Sequence, residues 1–428
     1  MRNKKAIRST ETVKLGAVIS INPDSVEKDF PFETIKYIDI SSVGSGTLNG
    51  LSEIKFSEAP SRAKRLVNSA DTILSTVRPN RRSFLFVKNP EPNIVVSTGF
   101  AVLRATDKID SRYLYYTVTH QPFTDYLMNN AKGAAYPAVD TDTIARAEIW
   151  LPPLPTQRKI AAILSAYDDL IENNLRRIKI LEEMAQLIYR EWFVNFRFPE
   201  HEKVRMLESG MGMIPEGWEV KSVRDVATLH RGKSYRGADL TNEGGLPFLN
   251  LKCIERGGGF RLDGLKRYKG DYESKRTARP GDIIIAVTDM TQERRLVAHA
   301  ARVPHFGEPI AMISMDLVKA EPRDDVAKEY LHGMFRFSGF SDEVKQHANG
   351  VNVLHLNPER IEEYEFPLPP PDLRRSYAQF SADVYKQCDT LHIKNINLHR
   401  TRDLLLPKLI SGELDVSELD IDIGEEPA

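Results

Sequence analysis

The chain repeats itself. Displaced by 217 residues, Tyr113-Leu114 falls on Tyr330-Leu331, Ala131 and Gly133 on Ala348 and Gly350, and Ile144 on Ile361. Leu151-Pro152-Pro153 falls on Leu368-Pro369-Pro370, and the match runs without a gap through Arg158 and Arg375 to Leu181 and Leu398. Nearer the start of each copy the displacement is 211. There Tyr37-Ile38-Asp39-Ile40 matches Phe248-Leu249-Asn250-Leu251, Lys64-Arg65 matches Lys275-Arg276, and Asp71-Thr72-Ile73 matches Asp282-Ile283-Ile284. A six-residue difference in one loop accounts for the change. Two copies of one unit, roughly 13–198 and 215–412, must therefore share one internal design.

That design reads the same way twice. Short β-rich runs such as Thr72–Val77, Asn93–Val96 and Ile283–Val287 come first. A short helix follows, over Ser111–Asn129 or Ala327–His347. Next comes a Gly-containing loop, then a strand running into a proline cluster, EIWLPPLP or YEFPLPPP, which ends regular structure. Beyond the prolines a heptad pattern begins. Leu164, Ile171, Ile178, Ala185 and Trp192 recur every seven residues, with Tyr167, Leu181 and Ile188 three residues later and Asn174 as the polar exception. Tyr377, Val384, Leu391, Leu398 and Leu405 hold the period in the second copy, and neither Arg158–Arg197 nor Leu373–Leu406 contains Pro or Gly. Sustained seven-residue periodicity predicts two helices wound together, antiparallel if the halves are pseudo-twofold, with Asn174 fixing register. About 40 residues at 1.5 Å each makes a rod of about 60 Å. The alternative is that each stripe packs on its own globular region. The expected class is α+β: two mixed α/β domains separated by two long antiparallel helices in a coiled coil. The expected boundaries are 1–153, a helix over 154–198, a linker over 199–214, 215–370, a helix over 371–412 and a tail over 413–428.

The formal net charge of −1 argues against a nucleic-acid partner only while it is treated as uniform. Residues 413–428 hold seven acids and no base; without them 59 bases face 53 acids, about +6. Pro60–Pro90 carries seven bases against one acid, and Arg261–Arg302 carries ten against six. One basic run is ordinarily a solvated surface; two at corresponding places in a repeat point to a polyanion. The two cysteines, Cys253 and Cys388, make no CxxC pair and no disulfide framework, which fits a reducing compartment. The polar start MRNKKAIRSTETVK does not read as a signal peptide, and no apolar stretch approaches the ~18 residues of a membrane span. A cytoplasmic location is expected.

Catalytic signatures are missing from the sequence. There is no dinucleotide GxGxxG after a strand, no GxxxxGK[ST] phosphate loop, no HExxH and no GxSxG elbow. Pro152-Pro153 lacks the preceding Asn or Asp and the following aromatic of an amino-methyltransferase. Asp71 and Asp282 read as turn or packing residues. The expectation is a duplicated binding module without a catalytic site, metal or cofactor of its own. A self-contained DNA enzyme is the first competing reading and a protein-binding coiled-coil scaffold the second.

Four motifs in order carry a resemblance. LPPLPTQRKIAAILSAYDDLIENN opens the first long helix and YREWFVNFRFP closes it; IPEGWE (Ile214–Glu219) opens the second repeat and LLLPKLISGEL (Leu404–Leu414) ends it. Over essentially its whole length the chain resembles the specificity subunits of type I restriction-modification systems. It departs from them in starting the first repeat at VKLGAV with no PEGW motif, and in the second proline junction, PPPDLRRSYAQF, which lacks the usual Gln. The resemblance implies that each repeat carries a target-recognition domain for one half of a split double-stranded DNA site, and that the helices set the gap. It also implies two modification subunits that bind S-adenosylmethionine and methylate adenine N6, and restriction subunits that use ATP and Mg2+. The same fold in an anti-restriction or regulatory role remains the alternative.

The DNA-facing residues are read from side-chain chemistry: Arg suits guanine O6/N7, Asn and Gln suit adenine N6/N7, and Lys suits phosphate. In the first repeat the candidates are Lys64, Arg65, Arg78, Asn80, Arg81, Arg82, Lys132 and Tyr136. In the second they are Arg231, Lys233, Tyr235, Arg236, Lys275, Arg276, Asp289, Gln292, Arg294, Arg295, Asn349, Asn352 and His355.

Overall fold

A computed structural model describes residues 12–27, 29–133, 135–323 and 326–423. The repeat extends to strand pairing, with one more strand in the second sheet of the second copy. Each copy opens on a strand that pairs antiparallel with the strand entering its proline cluster: Thr12–Lys14 with Glu148–Trp150, and Glu219–Ser222 with Glu365–Leu368. Each copy then builds two sheets. The first sheet has the order Ile19–Ile21, Phe100–Ala105, Thr72–Ser75, Phe84–Phe86 in one copy, and Ala227–Arg231, Leu317–Pro322, Ile283–Ala286, Ala300–Arg302 in the other. In the second sheet Thr34–Ile38 runs parallel to Ile94–Ser97, as Leu246–Leu249 runs parallel to Ala311–Ile313; every other pairing is antiparallel among the described strands. Asp39 and Asn250, matched in the sequence, both cap a short 3-10 turn, accepting from the amides of Ser41 and Lys252.

Strand register locates the length difference between the copies. Leu74 pairs with Phe84, and its equivalent Ile285 with Ala300, so the connecting loop grows from 75–83 to 286–299 and gains five residues. The sixth is added between Phe86 and Val95, against Arg302 and Met312. The difference therefore falls in two loops, not in one as the sequence match implied, and most of it lies in a loop bearing candidate DNA contacts.

The short helices are each broken in two. Ser111–Thr119 stops at His120, whose backbone is extended, before Gln121–Asn129, whose first turn accommodates Pro122. Lys328–Phe337 is followed by Phe340–Val344 and a 3-10 turn, Lys345–His347. The long helices run over Leu154–Tyr189, with a π-turn at Arg190–Val194, and over Pro371–Ile410. Each begins in its proline cluster, where a missing N–H costs nothing. The second runs past Pro407 and stops at Gly412, whose φ of +74° suits glycine.

The chain divides into two compact units, one of residues up to Ile171 together with those from Leu398, the other Glu172–Asn397. Each unit thus takes part of each long helix. In the first, Ile160 and Leu164 share a buried core with Leu15, Tyr113, Leu114, Ile144, Leu409 and Ile410. In the second, Ile178 and Ala185 pack on Val384, Tyr385, Cys388 and Leu391, while Tyr189 and Phe193 enter the core around Tyr330 and Tyr377. Asn174 bonds Asn395 at 2.8 Å, and the Tyr377 hydroxyl donates to the Ala185 carbonyl at 3.2 Å, so the helices run antiparallel there. The heptad stripes accordingly do both things foreseen for them: they pack on one another and on the sheets. Among the described residues no helix is long and apolar enough to cross a membrane.

Candidate nucleic-acid interface

Two aspartates set the turns that shape the loops. Asp71 and Asp282 hold equivalent corners, accepting from the backbone N–H groups of Asn68 and Arg279 at 2.8 Å. Asp71 also takes a two-pronged bond from Arg104, at 2.8 Å on each oxygen, and Asp282 an ion pair from Lys328 at 2.8 Å. Both carboxylates are occupied by structure, as their place beside strands suggests. The Cys253 thiol is pushed up to about 11 and the Cys388 thiol to about 12 by burial, so neither is a ready nucleophile.

In each unit a loop after the central strand meets a glycine hairpin. In the first, Val77 bridges Ala138 and Lys132 bridges Ala138, closing the hairpin 132–138 against the loop 75–83. In the second, Thr288–Asp289 pairs with Leu354–His355 and Asn349 bridges His355, which closes 349–355 against 286–299. The residues correspond one for one: Val77 with Thr288, Lys132 with Asn349, Ala138 with His355. Glycine is needed in the hairpin for a local reason. A Cβ on Gly350, at φ +149°, would lie 1.9 Å from the Val353 carbonyl oxygen, and one on Gly133 would lie 3.0 Å from that of Tyr136. The hairpin closes on itself through that glycine.

The first unit's loop presents a mixed set. Arg78, left-handed at φ 49°, donates its amide to the Pro137 carbonyl at 2.6 Å and stacks its guanidinium 4.4 Å from the centre of the Tyr136 ring. Such a cation–π pair holds both groups at the surface, where Tyr136 is 52% exposed. Asn80 and Arg81 are exposed on the following 3-10 turn, and neither side chain bonds to another described residue. Arg82 has turned inward: it donates to the Thr119 carbonyl at 2.8 Å and to the Gln121 amide oxygen, tying the loop to the helix pair below. Lys132 is exposed and 3.4 Å from Asp140. Lys64 and Arg65 lie on the edge strand Ala63–Leu66 of the other sheet; Lys64 is exposed, and Arg65 reaches Ser25 at 3.4 Å.

The second unit uses its longer loop differently. Asp289 is fully buried. Burial raises a carboxyl, but amides of Leu296 (2.7 Å), Thr291 (2.9 Å) and Val297 (3.3 Å), with the Thr291 hydroxyl (2.9 Å), outweigh it and hold Asp289 below the usual carboxylate range. It organises the loop from inside and faces no groove. Gln292 donates to the carbonyls of Val351 (2.8 Å) and Gly350 (3.3 Å), pinning loop to hairpin. Arg294 reaches Gln346 (3.3 Å) and the Ala348 carbonyl (3.5 Å), and Arg295 pairs with Glu293 at 2.6 Å while 48% exposed. Asn349, Asn352 and His355 are exposed on the hairpin.

The early candidates of this unit stand apart from that loop pair. Lys233 bonds the Asp271 carbonyl and Tyr235 packs edge-on against buried Phe248, 4.7 Å between ring centres. Arg231 and Arg236 are exposed. Lys275 and Arg276 form ion pairs with Glu273, and Arg276 also reaches the Gly232 carbonyl at 3.1 Å.

Two residues escape a reading based on hydrogen-bonding side chains. Met290, 66% exposed, and Val351, 91% exposed, sit on the loop and hairpin that Gln292 joins. Their only signal in the sequence is an apolar residue among polar loop neighbours. Among the described residues no group of three His, Cys, Asp or Glu side chains could hold a metal ion.

Comparison with known proteins gives a consistent result. Residues 8–183 and 215–398 each match the sequence model of the type I restriction modification DNA specificity domain. The chain is 26% identical over 355 residues to the type I restriction enzyme MjaIX specificity subunit of Methanocaldococcus jannaschii, covering 81% of this chain and 78% of the relative. It is 22% identical over 420 residues to the HindI specificity subunit of Haemophilus influenzae, covering 83% and 89%. In fold it is similar to the type I restriction-modification S subunit from M. genitalium, with a TM-score of 0.53 at 14% identity over 96% of this chain and 98% of that one.

Proposed function

The chain belongs to the type I restriction modification DNA specificity family, and from that premise we propose how it reads DNA. Each unit inserts its paired loop and glycine hairpin into one half of a bipartite duplex site. The observation that carries this reading is the loop–hairpin pair itself: the same backbone device recurs in both units with different side chains at matched positions. A common device fits a common ligand, duplex DNA, and different side chains fit two different half-sites. Arg81 and Asn80 in the first unit, and Arg295, Asn349, Asn352 and His355 in the second, are the best placed to meet base edges. Lys64, Lys132, Arg231 and Arg236 suit phosphates. Arg82, Tyr235 and Asp289 act by holding the loops.

The long helices, each shared by both units, set the spacer between half-sites and offer the docking surface for two modification subunits. Those subunits supply S-adenosylmethionine and transfer its methyl to adenine N6; restriction subunits supply ATP- and Mg2+-dependent translocation and cleavage. The chain itself contributes recognition and no catalytic group, and the assembly works in the cytoplasm. The body charge of about +6 is modest for a DNA reader, so tight binding belongs to the assembled complex.

Sequencing of methylated adenines in DNA from cells carrying this chain with its modification subunits tests the reading. The expected result is one asymmetric bipartite motif of fixed spacer. Methylation unaffected by this chain, or a single undivided motif, would overturn it.

A further inference from the structure

We infer that the second unit recognises thymine in its half-site through an apolar contact made by Met290 and Val351, a reading that rests on the DNA-reading role proposed above. Three observations converge. The loop 286–299 is five residues longer than its counterpart, and Met290 lies within that enlarged loop. Val351 occupies the hairpin tip one residue after Gly350, and Met290 and Val351 are 66% and 91% exposed. Gln292 fixes the two tips side by side through its bonds to the Gly350 and Val351 carbonyls.

The chemistry of Gln292 sharpens the point. Both of its amide protons go to those two carbonyls, which leaves only its oxygen for a base edge. It cannot make the two-point contact with adenine N7 and N6 that glutamine otherwise offers. With Gln292 so engaged, the second unit's tip presents two exposed apolar side chains, the thioether of Met290 and the isopropyl group of Val351, beside its polar ones. Within the major groove one group is apolar, the C5 methyl of thymine. Exposed valine and methionine, set among exposed polar groups that include Arg295, Asn349, Asn352 and His355, suit that methyl better than they suit phosphate or sugar.

The test uses the chain assembled with its modification subunits and a duplex carrying the recovered site. Each thymine is replaced in turn by deoxyuridine, which removes the methyl and leaves the pairing edge intact. Arg81→Ala, in the first unit, identifies that unit's half-site by the position it relaxes; the other half belongs to the second unit. Binding of the parent complex should fall about fourfold, the value of burying one methyl group, at one or more thymines of the second half-site. The loss should vanish in Met290→Ser or Val351→Ser, where the contact is already gone. A second half-site without thymine on either strand, or one insensitive to deoxyuridine, overturns the inference, as does sensitivity that persists in both variants. Variants that lose the modification subunits while keeping the thymine dependence show a protein-binding patch instead and also overturn it. A complex that recognises no bipartite site defeats the functional reading itself.

Discussion

Asn174 donates its side-chain amide to the side-chain oxygen of Asn395 across 2.8 Å in the buried seam of the helix pair. The partners come from different repeats: Asn174 interrupts the apolar stripe of the first long helix, and Asn395 lies on the second in the seven-residue row of Ser381 and Cys388. A lone amide in such a seam is costly; two that meet allow one alignment and penalise every slip of the helices. Replacing Asn174 or Asn395 alone by Leu should cost about 1–3 kcal/mol, and replacing both should recover most of it while loosening register. Denaturant melts of the two single variants and the double variant give the coupling energy, and additive losses would contradict the pairing.

Arg81 and Arg82 are neighbours with different tasks. Arg81→Ala should leave stability unchanged within about 0.5 kcal/mol and relax one position of the first half-site, at about 1–3 kcal/mol of binding. Arg82→Ala should lower stability by about 1–2 kcal/mol, since the Thr119 carbonyl and Gln121 lose their donor. Methylated-site sequencing and thermal melting separate the two, and an unstable Arg81→Ala chain would refute the assignment.

Gly350→Ala should open the second hairpin, because its Cβ would sit 1.9 Å from the Val353 oxygen. The expected penalty is about 2 kcal/mol or more, from clash and from a φ that alanine resists. Its functional effect should be confined to the second half-site; an equal loss at both would show a wider collapse. Limited proteolysis near residue 351 should speed up.

His332 is buried against the Tyr385 hydroxyl at 2.9 Å. Burial first, then the charges of Arg302 and Arg336, push it down to about 3, so it is neutral when folded. Unfolded, it takes up a proton near pH 6.5. The stability it contributes is therefore full above about 6.5 and drains away as pH falls toward about 3, by about 2 kcal/mol at pH 5. His332→Gln should flatten that part of the stability–pH curve, and an unchanged slope would show that other groups set it.

The sequence displayed what is repeated and hid what is bent. Matched pairs such as Asp71 with Asp282 and Asp39 with Asn250 announced the two copies, because corners and caps depend on residue type at a fixed place. Heptads announced the helices for the same reason. The loop residues were harder. Arg78, Arg81 and Arg82 look alike on paper, and only the left-handed backbone at Arg78 and Arg82 decides which guanidinium stacks, which points out and which turns in. Asp289 sits in a polar run that reads as exposed, and its burial depends on amides seven and eight residues later. The five extra residues of that loop are visible only through strand register, since loop sequences diverge while pairing persists.

The sharing of each long helix between both units has a genetic consequence. Neither half of the gene encodes a self-sufficient body: the core around Leu15 needs Leu409 and Ile410, and the core around Tyr330 needs Tyr189 and Phe193. Inheritance can therefore trade readers most safely as cassettes cut inside the repeats, at the proline clusters where strand gives way to helix. A recombinant joined there acquires a new half-site and keeps the interlocked scaffold, whereas one that severs a helix loses the hydrophobic seam of two bodies at once.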